Sequence, residues 1–104
     1  MREQLLLQGR EVRLIEHWKE RLGIDYYVST ERISLFQVSD SCCCVGNSFV
    51  GVCTWHDEKV ACIYHTRKLR EDDIVHELLH VRHPSWTEDE VNRAVDLLLE
   101  TRRD

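Results

Sequence analysis

Apolar positions in this chain alternate between helical and strand spacing in a readable order. Across 3–22, Leu7, Leu14, Trp18 and Leu22, with Ile15, fall near a 3.6-residue period, and Gly23 follows as a stop. The pattern predicts a helix that packs on a sheet through that stripe. Residues 26–38 are rich in Tyr, Val, Ile, Phe and Thr and predict a strand, or two short ones broken near Glu31-Arg32. Residues 39–48 read as a loop. Segments 49–55 and 60–66 read as strands joined by a hairpin-length connection at His56–Lys59.

Helical spacing returns at 71–82, where Ile74, Val75, Leu78, Leu79 and Val81 form the side to be buried. Glu71, Asp72 and Asp73 occupy its first turn, where carboxylates suit the positive end of the helix dipole. Pro84 ends it, because the residue before a proline avoids helical backbone. A last helix begins after Thr87, with Thr87 and Glu90 as a capping box, and runs to about residue 100. Val91, Ala94, Val95 and Leu98 are its buried stripe. The order is helix, strands, helix, helix. It predicts a small α+β fold with a mostly antiparallel sheet of about three strands.

Composition narrows the classes of function. A chain of 104 residues is expected to form one domain, and 42% hydrophobic with 32% charged residues is ordinary for a globular protein. One Pro and four Gly leave no evident linker, and no internal repeat is visible. No segment approaches the apolar length of a membrane span, and the early leucines are too few for a secretory signal, so a cytoplasmic protein is expected. A formal net charge of −5 argues against a nucleic-acid partner held through phosphates.

Five cysteines are many for such a chain, and an odd number leaves one thiol without a partner inside it. Cys42, Cys43 and Cys44 are adjacent, while Cys53 and Cys62 sit in expected strands. No CxxC pair with zinc spacing occurs, and three adjacent side chains do not point at one ion. All five are read as small buried hydrophobes, with a metal site, a redox switch or a disulfide as the alternatives.

The chemistry concentrates at His76-Glu77-Leu78-Leu79-His80. With six histidines in 104 residues, chance produces an HExxH spacing far less than once per chain. Residues four apart on a helix differ by about 40° in azimuth and one turn in height, so both imidazoles point the same way. That geometry suits two ligands to one Zn²⁺, with Glu77 beside the ion as a general base. A catalytic zinc takes three protein ligands and leaves one position open.

His83, Glu88 and Glu90 are the nearby candidates for the third ligand. His83 would put three ligands on consecutive turns of one helix, where they converge poorly on a tetrahedral ion, and Pro84 disturbs the backbone there. Glu90 is explained by capping. Glu88 precedes Val91, Val95 and Leu98 by three, seven and ten residues and so extends the inward stripe, where a carboxylate needs a partner. Asn92 follows one turn later on the same side, within reach of a ligand histidine.

HELLH at 76–80, followed by E-D-E-V-N-R-A at 88–94, resembles the HExxH … E-x-x-x-(D/N) arrangement of gluzincin metallopeptidases. It is most similar to the minigluzincins, soluble minimal catalytic domains related to integral-membrane prenyl-processing and heat-shock proteases. The E-x-E-(A/V)-N run also resembles regulatory metallopeptidases of phages and mobile elements. The likeness is specific over 76–98. Elsewhere it is one of element order and size.

The resemblance implies a zinc metalloendopeptidase acting on a peptide or protein. It implies His76, His80 and Glu88 as ligands, Glu77 as general base and acid, and Asn92 as the group supporting a ligand, where many relatives carry Asp. It implies that the strand ahead of the zinc helix, Val60–Thr66, pairs with an extended substrate as an edge. It also suggests a latent, zymogen-like form in which Glu100–Asp104 covers the open zinc position, within the chain or across a homodimer. The oxyanion donor stays open among Tyr26, Tyr27, Tyr64, His65 and Arg93. The competing class is a non-catalytic, zinc-stabilised regulatory or binding module with a protease-like fold.

Overall fold

The structure is a computed structural model, and it describes residues 2–34 and 49–103, with side chains over 9–34 and 49–100. Cys42, Cys43 and Cys44 lie outside the described residues, as does the expected loop. The elements are α1 (Arg2–Leu22), β1 (Tyr27–Arg32), β2 (Val50–Trp55), β3 (Val60–His65), α2 (Glu71–Arg82) and α3 (Glu88–Arg103). This is the expected small α+β fold. The chain divides into a helical unit, Met1–Asp25 with Arg70–Asp104, and a sheet unit, Tyr26–Leu69. No helix among the described residues is long and apolar enough to cross a membrane.

In the helical unit α1 packs on α2, and α2 packs on α3. Trp18 is fully buried and Ile15 nearly so, as the stripe predicts. The Trp18 indole Nε1–H donates to Glu71 Oε2 at 2.8 Å, tying α1 to the first turn of α2. The end of α1 is fixed by backbone chemistry. Gly23 takes a φ of +69°, a conformation open to glycine at little steric cost. Ile24 N–H then reaches Lys19 C=O at 2.8 Å and Gly23 N–H reaches Glu20 C=O at 3.3 Å, the paired bonds of a Schellman motif.

All five apolar residues assigned to the hidden side of α2, Ile74, Val75, Leu78, Leu79 and Val81, are buried. Asp73 accepts from the Arg70 N–H at 2.9 Å and satisfies one donor at the helix start. The capping box at α3 also forms. Glu90 N–H donates to Thr87 Oγ1, and Thr87 N–H donates to Glu90 Oε1, both at 3.2 Å. Val91 and Val95 are buried, while Ala94 and Leu98 are half-buried. Replacing Thr87 with Ala removes the cap acceptor and should lower stability by about 1 kcal/mol, read as a lower urea midpoint at an unchanged slope.

In the sheet unit the strand order is β1-β3-β2. β2 and β3 pair antiparallel through the hairpin, whose turn carries Lys59 at a φ of +55°, whereas β1 pairs with β3 in parallel. The sheet is therefore mixed, with one pairing of each kind. A four-residue turn forces antiparallel neighbours, but nothing in a local pattern dictates which side β1 joins.

This order corrects the expectation for Val60–Thr66. β3 is the central strand, bonded on both sides, so it offers no free edge to a substrate. Its consecutive buried residues Ala61, Cys62 and Ile63 are the mark of such a strand. β1 stops at Arg32, where the break was expected, and residues 35–38 of the expected 26–38 strand lie outside the described residues.

Candidate metal centre

The HELLH residues sit in the middle of α2, and the helix turns the sequence spacing into geometry. Leu78 and Leu79 face inward and are buried, which leaves His76 and His80 half-buried on a neighbouring face. The two rings stand with centroids 4.9 Å apart and Nε2 atoms 3.2 Å apart, close enough for one to donate to the other. Residues 83–87 then reverse the chain, and the capping box starts α3 so that Glu88 opens its first turn. Glu88 Oε1 lies 2.7 Å from His80 Nε2, and Oε2 lies 3.1 Å from His76 Nε2.

The spacing of these donors is close to the size of a zinc site. Tetrahedral ligands at about 2.0–2.1 Å from zinc stand about 3.3 Å from one another. The two Nε2 atoms stand 3.2 Å apart, each ring nitrogen meets one oxygen of Glu88, at 3.1 and 2.7 Å, and one ligand atom from each of His76, His80 and Glu88 lies within 4.8 Å of the others, so a modest rearrangement of these side chains would receive an ion. Two imidazoles and one carboxylate are also a donor set that zinc favours. The histidines would have to be neutral, and the carboxylate ionised, to bind it.

The route by which Glu88 joins differs from the expected one. Its side chain is 68% exposed, so it is not a buried carboxylate in need of a partner. It reaches the rings because the first position of α3 falls beside the open face of α2. Glu90 is held by Thr87 in the capping box, as expected. His83 is taken out of contention by the end of α2 at Arg82, its ring stacking on Trp86 at 3.8 Å. Asn92 is exposed, and among the described residues it hydrogen-bonds to neither ring.

Glu77 is the buried member of the motif, 6% exposed, with Oε2 4.0 Å from His76 Nε2. Its carboxyl is pushed up to about 8, first by burial, then by the Glu88 carboxylate and then by Asp73. In the metal-free chain it is therefore largely protonated near neutral pH. Asp73 has a part in this electrostatic setting that the sequence reading missed. Its position four residues before Glu77 on the same helix was the available signal.

Of the expected oxyanion donors, Tyr26, Tyr27, Tyr64 and His65 belong to the sheet unit. Tyr26 Oη is bonded to His56 Nδ1 at 2.8 Å, and His65 Nδ1–H donates to the Arg67 carbonyl at 2.7 Å. Arg93 is exposed on α3. The open groove between Arg70–Asp72 and the Val95–Glu100 segment of α3 is not lined by the histidines.

The tail also has a definite course. α3 continues to Arg103, so at 1.5 Å per residue position 100 lies about 18 Å along the axis from Glu88. A continuous helix does not fold back on its own first turn, so residues 100–103 do not form the expected block within the chain. Compared with known protein families, with curated proteins and with solved structures, the chain matches none.

Proposed function

We propose that this protein is a zinc-dependent metalloendopeptidase of the gluzincin kind, similar to the minigluzincins, with a peptide or protein as substrate. The observation that carries the reading is the meeting of three donors on one point, with a buried carboxyl one residue from the first ligand. His76, His80 and Glu88 would hold the metal. When bound, zinc supplies a Lewis acid for the scissile carbonyl and lowers the pKa of a coordinated water.

The chain's own contribution to the proton transfers is Glu77. Beside a divalent cation its carboxyl favours the ionised form, despite the burial that now keeps it neutral. It then accepts a proton from the attacking water at a carboxylate oxygen and returns it to the leaving amine. Leu78 and Leu79, buried in α2 beside the histidine face, fix the helix and with it the separation of the two rings. The described thiols, Cys53 and Cys62, are free.

The direct test is elemental analysis of the purified protein together with hydrolysis of a mixed peptide library. One zinc per chain is expected, with cleavage abolished by a chelator and restored by zinc. Full zinc occupancy without cleavage of any peptide would favour the non-catalytic, zinc-stabilised module instead.

A further inference from the structure

We propose that Cys53 and Cys62 form a reversible cross-strand disulfide, made by exchange with a small-molecule disulfide of the glutathione type. The two residues are directly opposite each other in the β2–β3 ladder. Residues so paired point to the same face of a sheet, and their Cα separation falls within the range that a disulfide spans. Both thiols act on the Tyr64 phenol, which they hold above its usual value, Cys62 by charge and hydrogen bonding and Cys53 by charge. Cys62 and Tyr64 are two residues apart on β3 and Cys53 is opposite Cys62, so all three share one face of the sheet. Cys53 is exposed and Cys62 is buried, the arrangement of an entry thiol and a resolving thiol.

The ladder also sets the character of the bond. Thr66 N–H donates to Phe49 C=O at 3.0 Å, and these residues continue the register by one step beyond Val50 and His65. Counting back in twos, Cys53 and Cys62 are a hydrogen-bonded pair. Such pairs stand about 5.5 Å apart at Cα, with Cβ atoms near 5.5 Å, whereas a relaxed disulfide needs Cβ atoms about 3.5–4.5 Å apart. β2 must draw toward β3 to close it. It can do so because it is an edge strand with no neighbour beyond it among the described residues. The resulting bond is strained and therefore easily reduced.

The exchange balances without any further oxidant. Cys53 thiolate attacks one sulfur of glutathione disulfide, forming a mixed disulfide and releasing one glutathione thiolate. Cys62, on losing its proton, attacks Cys53 Sγ and expels the second. Two protein thiols lose two electrons in total, and one external disulfide becomes two thiols, the protons of Cys53 and Cys62 ending on them.

The test uses the full chain in buffers of varied oxidised and reduced glutathione, followed by alkylation and chymotryptic mass mapping. Cleavage after Phe49, Trp55 and Tyr64 separates Cys53 from Cys42–Cys44 and places Cys53 and Cys62 in different peptides. A linked pair of 50–55 with 56–64 is expected under excess oxidised glutathione. It should fall about tenfold or more when reduced glutathione is added, as a strained bond requires. In Cys62→Ser, Cys53 should instead accumulate the glutathione adduct. An adduct on Cys53 with Cys62 still alkylatable in the unaltered chain would overturn the proposal, as would linkage of Cys62 to Cys42–Cys44.

Discussion

Replacing Glu88 with Ala is expected to lower zinc affinity by more than about 100-fold. Groups that only support a ligand change affinity by about 10–100-fold, and a direct ligand must exceed that. The size of the effect rests on contact rather than burial. Glu88 is 68% exposed, yet its two oxygens meet both imidazole nitrogens at 2.7 and 3.1 Å. Being on the surface, the side chain can be truncated with little damage to the helix, so unfolding of the metal-free protein should change little. Glu90→Ala is the paired control. It removes the capping partner of Thr87, which should reduce stability but leave zinc affinity nearly intact. Competition titration against a chromogenic chelator measures both. Undiminished affinity in Glu88→Ala with loss in Glu90→Ala would reverse the ligand assignment.

Glu77→Gln should keep the metal and lose about 10²–10⁴-fold in kcat, the usual contribution of a positioned general base. The amide preserves the shape of the buried side chain but cannot hold the proton of the attacking water. Zinc content is the readout that separates lost chemistry from lost folding.

A second consequence of Glu77→Gln appears in the metal-free chain. The carboxyl of Glu77 is raised from 4.5 to about 8, so between those values the folded state keeps a proton that the unfolded state has released. Its contribution to stability is fully present below pH 4.5 and is lost as pH rises through about 8. Gln cannot ionise, and denaturant midpoints of the metal-free variant should show a shallower decline over that window. Parallel declines in the two proteins would place the pH dependence elsewhere.

Local spacing made the helices legible. The α2 pattern named five residues that are all buried, and the Thr87–Glu90 spacing located the start of α3. The paired imidazoles follow from helix geometry alone. Glu88 was reachable from the stripe of α3, although the reason offered, a buried carboxylate, is not the one that operates. What local spacing could not supply is strand order. β3 was taken for an edge because it precedes α2 in sequence, and only the joining of β1 to its far side makes it central. Cys53 was likewise read as buried; it is exposed. The last helix was expected to run to about residue 100, with the blocking role of Glu100–Asp104 suggested by the family resemblance, yet α3 runs on through charged residues to Arg103.

All three donor side chains come from a stretch of thirteen residues, 76–88, whereas α1 and α2, which pack on each other, are separated along the chain by the residues of the sheet unit, 26–69. Closing a loop of that length carries an entropic penalty that grows with the logarithm of its size, and it slows folding. The donors need no such closure, because a single helical turn and a short reversal bring them together. Assembly of the ligand set is thus a short-range event, whose rate should be largely insensitive to insertions in the intervening segment.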